Sequence, residues 1–232
     1  MTSLIKIVVI DYQSGNLRSV AKALETAGVS AQVTGDPDEL QDADAVILPG
    51  VGSGPAAMAA LRERGLVEPL REYVASGRPF LGVCLGLQLL LDHTAEGDAA
   101  SPPGPLSIRD GEGVRGEAAG GLSTPCLGII PGAVQRLPQG LKVPHMGWNS
   151  VEFRKEHAVF QGIPQGSHFY FVHSYYAAPE DEGGVAGVTE YGIPFCSAYA
   201  RDSLVATQFH PEKSGGIGLR IYKNFVAFAS QF

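Results

Sequence analysis

Cysteine is scarce in this sequence. The three in 232 residues, Cys84, Cys126 and Cys196, form an odd and widely spaced set. That excludes a disulfide framework and fits a reduced, cytosolic protein. Charge is sparse as well, with 18% Asp, Glu, Lys and Arg, a net charge of −7 and no Lys/Arg run, which argues against a nucleic-acid surface. The longest apolar stretches fall well short of the ~20 residues that a membrane span needs. The opening MTSLIKIVVID passes directly into a strand pattern and lacks a signal-peptide cleavage pattern. Neither internal repeats nor heptads occur, and no His/Cys spacing suggests zinc.

What is present is a 44% hydrophobic chain with the profile of a soluble globular enzyme, read as a single domain over 1–232. Ile5 to Ile10 is a β-branched run interrupted only by Lys6, as in a strand covered on both faces. Leu17, Val20, Ala21 and Leu24 recur at helical spacing, and Gly28 closes that helix. Ala31–Thr34 and Ala45–Leu48 give further strands. Leu61 to Ser76 reads as helical, in two pieces interrupted by Gly65 and Pro69. Phe80–Val83 is a fourth strand, and Leu85–Leu91 an apolar helix after it. This alternation predicts an α/β fold: an open, mostly parallel sheet flanked by helices on both faces, with extra antiparallel strands in the second half. Short strand candidates in that half are Ser150–Phe153, Phe169–Tyr175 and Leu204–Phe209, before a final helix over Gly218–Ser230. Residues 97–125, rich in Gly, Pro, Ala and Ser, read as a flexible surface insertion.

The chemistry gathers around Gly82-Val83-Cys84-Leu85-Gly86, a G-x-C-x-G spacing similar to a nucleophile elbow with cysteine in place of serine. A sharp strand-to-helix turn tolerates only small neighbours and sets the sulfur at a helix N-terminus, where a thiolate is favoured. A packed thiol between two glycines is the competing explanation. A thiolate needs a base and the base an orienting group. Among six histidines, His93 falls near the end of the elbow helix, His157 and His168 read as exposed, and His145 and His173 as core or interface residues. His210 ends a strand pattern and precedes Pro211-Glu212, so that the Glu212 carboxylate can fix its tautomer. The glycine run at 49–55 lacks the Lys-Ser/Thr of a phosphate loop. It better suits an oxyanion hole made by the Gly52 and Leu85 amides.

Together, Gly82 to Gln88, Pro49-Gly50-Val51-Gly52 and His210-Pro211-Glu212 resemble the class I (triad) glutamine amidotransferases. Asp11-Tyr12 with Gly15-Asn16-Leu17, Pro144 to Asn149, Tyr170 to Tyr175 and Gln208 to Ser214 resemble, within that class, the glutaminase subunits of imidazole glycerol phosphate synthases of histidine biosynthesis. The resemblance implies that Cys84, His210 and Glu212 hydrolyse glutamine to glutamate and ammonia, with Gln88 and Glu96 holding the substrate and no metal or organic cofactor taking part. It implies a heterodimer with a (β/α)₈-barrel cyclase subunit that takes the ammonia, Asn16, Trp148 and Lys213 lying at the interface. Two departures stand out. Gln13 occupies a position usual for glycine, which puts the geometry of the first loop in question, and 97–125 is longer than the usual connection. The alternatives are a stand-alone cysteine hydrolase of the same broad fold and a non-catalytic binding module.

Overall fold

The computed structural model describes residues 5–97 and 123–232. In chain order the strands are β1 (Ile7–Ile10), β2 (Gln32–Thr34), β3 (Ala45–Gly50), β4 (Phe80–Cys84), β5 (His93–Thr94), β6 (Thr124–Pro125) and β7 (Gly132–Arg136). They continue with β8 (His145–Phe153), β9 (Ser167–His173), β10 (Tyr175–Pro179), β11 (Val185–Glu190), β12 (Pro194–Arg201) and β13 (Leu204–Thr207). The α-helices are α1 (Leu17–Thr26), α2 (Gly54–Glu63), α3 (Val67–Ala75), α4 (Leu85–Leu89) and α5 (Gly215–Ala229).

The strands line up as β2-β1-β3-β4-β13-β12-β10-β7-β5-β6. The block β2-β1-β3-β4-β13 is parallel, whereas the β13–β12, β12–β10 and β10–β7 pairs are antiparallel and β7 pairs with β5 in parallel. A second layer, β11-β8-β9, branches from β12. The expected mixed architecture is therefore present, and alternation explains its two cores. Val8, Ile10, Val46 and Leu48 face one side with Met58 and Leu61 of α2 and Leu70 and Tyr73 of α3. Ile7, Val9, Ala45 and Ile47 face the other with Val20 and Leu24 of α1 and Ile221 and Phe225 of α5. A period of two in the strands has produced apolar faces on both sides, which helices then cover.

Several boundaries differ from the sequence reading. α2 starts at Gly54, so the end of the glycine run is helix, with Pro55 in the first turn, where a missing N–H costs nothing. The break between α2 and α3 comes at Gly65 (φ 67°) alone; Pro69 sits in the first turn of α3 and interrupts nothing. The expected helix Leu85–Leu91 stops at Leu89, and His93 belongs to β5, paired with β6 and β7. The strand expected from Ser150 begins five residues earlier, at His145, and the one over Phe169–Tyr175 is split into β9 and β10 at Ser174. β7, β11 and β12 fall outside the expected strands, because Gly and Pro at or beside their ends mask them. Of the expected insertion 97–125, residues 98–122 lie outside the described residues, while Thr124–Pro125 is a strand paired with β5. No described helix is long and apolar enough to cross a membrane.

Candidate active site

Cys84 closes β4 in the middle of the parallel block. Its backbone takes φ 54° and ψ −104°, a strained conformation for a side-chain-bearing residue. The neighbours make the turn possible. A Cβ on Gly86 would run into the Leu48 carbonyl, and one on Gly82 would press on Ala206 and the Gly86 backbone at 3.1 Å. The elbow is thus as expected, but α4 spans only five residues, so a helix dipole is a minor influence on the sulfur. Specific neighbours matter more.

β13 lies parallel to β4 with Thr207 opposite Val83, so the chain segments that follow the two strands emerge at the same sheet edge. This is where open parallel sheets place their sites. His210 is held there by its backbone: its N–H donates to the Tyr170 carbonyl (2.9 Å) and its carbonyl accepts from Ser214 Oγ (2.6 Å). Pro211 opens a single tight turn that brings Glu212 back onto the ring, Nδ1 donating to Oε1 at 2.7 Å, with both side chains fully buried. Nε2 is buried and has no hydrogen-bond partner among the described residues. Burial on its own would push the His210 pKa down. The nearby Cys84 charge and the Glu212 carboxylate outweigh it, and the pKa is raised. Burial likewise works against the Glu212 carboxylate, yet the hydrogen bond and charge of His210 and the Asn16 amide keep its pKa below the usual range.

Asn16 is expected at an interface, yet its side chain also points inward. Its backbone is left-handed (φ 79°) and its Nδ2 donates to Glu212 Oε1 at 2.5 Å. Tyr222 of α5 donates to the other oxygen at 3.4 Å. Gln13, the departure in the same loop, adopts φ 70°, so the loop keeps a glycine-like backbone despite the side chain. Its N–H is held by Asp11 Oδ1 at 2.8 Å.

Beside the sulfur lies a cavity of about 260 Å³, the scale of an amino acid, lined in part by Gly52, Cys84, Leu85, Gln88, Glu96 and Tyr175. The four residues expected at an oxyanion hole or on the substrate thus line one cavity with Cys84. Gly52 has φ 101°, which a side chain would strain. Glu96 Oε2 accepts from the Gly54 N–H at 2.5 Å, tying the start of α2 to the cavity wall. Gln88 Nε2 donates to both the Tyr175 carbonyl (2.8 Å) and Gln208 Oε1 (3.1 Å). With both N–H groups engaged, only its oxygen can address a ligand.

His145 and His173 are core residues, hydrogen-bonded ring to ring at 3.0 Å. His157, expected to be exposed, is half-buried: its Nδ1 accepts from Val159 N–H and its ring packs on Phe228. Its polar surroundings in sequence hid a capping role. Trp148 and Met146 are 57% and 61% exposed on one face of β8. Trp148 meets the Tyr170 ring edge-on, and Lys213 Nζ sits 5.9 Å from that same ring. The sequence reading missed Gln208, which is fully buried with Nε2 3.6 Å from the Cys84 sulfur. Its place two residues before His210, at the end of a strand pattern, was the available signal.

The model of the glutamine amidotransferase class-I family matches residues 8–228. The imidazole glycerol phosphate synthase subunit HisH of Dehalococcoides mccartyi is 46% identical over 223 residues, covering 96% of this chain and 97% of that protein. The protein of the same name from Moorella thermoacetica is 48% identical, covering 94% of this chain and 93% of its own length. Among solved structures, PurLQS from Thermotoga maritima superposes with a TM-score of 0.70 at 17% identity, covering 97% of this chain and 99% of that one. A crystal structure described as a glutamine amidotransferase gives 0.67 at 20% identity, covering 96% and 98%; these two show a shared fold. Near-complete coverage by both the family model and these relatives makes this chain a member of the class-I glutamine amidotransferase family.

Proposed function

We propose that this protein is the glutaminase subunit of an imidazole glycerol phosphate synthase, hydrolysing glutamine for histidine biosynthesis. The observation that carries this reading is the strained Cys84 at one strand end and the buried His210–Glu212 pair at the next, both at one sheet edge. Curated relatives at 43–48% identity bear that subunit name.

In this mechanism the Cys84 thiolate attacks the glutamine carboxamide carbon, and the amides of Gly52 and Leu85 hold the oxyanion. His210 protonates the departing nitrogen, the C–N bond breaks and ammonia leaves, with the acyl group held on Cys84 as a thioester. It then takes a proton from water, which attacks the thioester and releases glutamate. Glu212 holds the imidazole in the Nδ1–H tautomer throughout. Gln88 and Glu96 receive the rest of the substrate.

Ammonia passes to a partner subunit, of (β/α)₈-barrel form, which closes the imidazole ring. The exposed face of Met146, Trp148, Tyr170 and Lys213 suits such a partner, since aromatic and Met side chains are enriched at interfaces. Asn16 would link that face to Glu212. The sheet runs without a break through both halves of the chain, which supports one domain over 1–232. Free thiols at Cys84, Cys126 and Cys196 fit the cytoplasm.

The test is glutamine hydrolysis by the chain alone and with a barrel subunit and its ribotide ligand. Turnover is expected to rise by orders of magnitude in the complex. Cys84→Ala is expected to abolish glutamine-dependent synthesis and to spare synthesis from excess free ammonia. Equal turnover with and without the partner would instead favour a stand-alone hydrolase, and no turnover in either would favour a binding module.

A further inference from the structure

We propose that Gln208 is a further catalytic residue, whose side-chain amide is the fixed hydrogen-bond donor to the Cys84 sulfur. The inference rests on the glutaminase reading of Cys84.

The orientation of this amide is dictated by its neighbours. The Tyr175 carbonyl can only accept, so the group 2.8 Å from it on Gln88 must be the nitrogen. The second hydrogen of that nitrogen points to Gln208, which must therefore present its oxygen, at 3.1 Å. The nitrogen of Gln208 is left facing the sulfur at 3.6 Å. The Tyr175 carbonyl is itself pinned from the other side. His173 Nδ1 donates to it at 2.9 Å, and because burial keeps His173 neutral, its Nε2 accepts from His145 Nδ1–H. His145 Nε2 in turn accepts from Asn149 Nδ2 at 3.3 Å. Every donor in this buried series has one direction available, and its catalytic end is the sulfur. The Gln208 backbone is held as well, its N–H donating to the Ser197 carbonyl at 2.9 Å.

The chemistry calls for such a donor. As a thiol, Cys84 faces the Val172 carbonyl at 4.0 Å, and that contact is lost on ionisation. The Gln208 N–H bond instead strengthens, because its acceptor becomes charged. Gln208 also acts when the thioester is hydrolysed. Once His210 has given its proton to the departing ammonia, the ring is neutral. When water attacks the thioester, its proton goes to His210, the C–S bond breaks and the electron pair returns to sulfur. The Gln208 donor is already aimed at that developing charge, with no reorganisation.

The experiment uses the full chain bound to its barrel partner and compares wild type with Gln208→Met, which keeps length and removes the donor. Iodoacetamide alkylation of Cys84, read by mass spectrometry against pH, is expected to move its midpoint up by about one unit. The glutaminase kcat is expected to fall roughly 10- to 100-fold, with KM nearly unchanged. A folded variant with wild-type alkylation midpoint and kcat overturns the proposal. If the variant does not fold, NMR of wild type labelled with ¹⁵N-glutamine decides. The Gln208 side-chain amide proton is expected to titrate with Cys84 and to lose that titration in Cys84→Ala. A resonance indifferent to the sulfur overturns the proposal. A wild-type complex that fails to hydrolyse glutamine would remove the role of Cys84 instead, and the alkylation and NMR results would still decide whether Gln208 donates to the sulfur.

Discussion

His210 and the His145–His173 pair are buried to nearly the same degree, yet burial leaves them in opposite states. His210 faces a carboxylate and a sulfur, and its pKa is raised. His173 faces a carbonyl and a second imidazole. Burial dominates there and lowers its pKa to about 3, deepened by His145 and His210 although the Tyr175 carbonyl opposes it. Burial alone takes His145 down to about 4. The difference teaches that a dry site amplifies whatever partner it holds: an anion makes the ring a cation, a neutral group keeps it neutral. The first environment suits proton transfer, the second a rigid wall.

The sharpest way to break this contrast is Glu212→Gln, which leaves His210 buried without its anion. Glutamine turnover in the complex is expected to drop by about 10⁴-fold, by analogy with removal of an orienting carboxylate from a catalytic histidine. The raised His210 pKa should fall with it, visible as a changed alkaline limb in the pH–rate profile. An unchanged rate would mean that Glu212 is only structural.

The second effect is on stability. His145 and His173 titrate at about 4 and about 3 when folded, against 6.5 when unfolded, so the unfolded chain binds more protons between these values. Their contribution is complete above pH 6.5 and is lost as pH falls. A loss of a few kcal/mol is expected by about pH 4.5. His210 has the opposite sign: its stabilisation is complete below 6.5 and is lost as pH rises through its raised folded value. Thermal unfolding across pH would reveal both limbs. His173→Asn should flatten the acid limb only, and an acid limb identical to wild type would contradict the neutral pair.

The smallest effect belongs to Tyr222→Phe, which removes a long 3.4 Å bond to Glu212 while three other contacts of the triad stay in place. A roughly threefold loss of kcat is expected. A loss as large as that of Glu212→Gln would place Tyr222 at the centre of the carboxylate's support.

Much of this site was legible in the chain. Gly82-Val83-Cys84-Leu85-Gly86 could be read as an elbow because its constraint is local: a strained φ at Cys84 and room for nothing larger than hydrogen at Gly86. His210 and Glu212 were legible for the same reason, since a proline-stiffened turn of two residues joins them. The parallel half of the sheet followed from apolar strands buried on both faces, whereas β7, β11 and β12 were missed because antiparallel strands of mixed composition are decided by their neighbours more than by their own residues. The inward role of Asn16 escaped notice because its partner lies 196 positions away.

The sequence alone determined which residues could do chemistry, the turns that present them, and the β–α alternation of the first half, because each depends on steric limits within a few residues. Only the tertiary structure decided which histidine is held as a cation and which pair stays neutral. The same holds for the contact between Gln208 and Cys84, 124 positions apart. Such outcomes depend on the register of β4 against β13 and on which groups are sealed together away from water, and no local pattern encodes either.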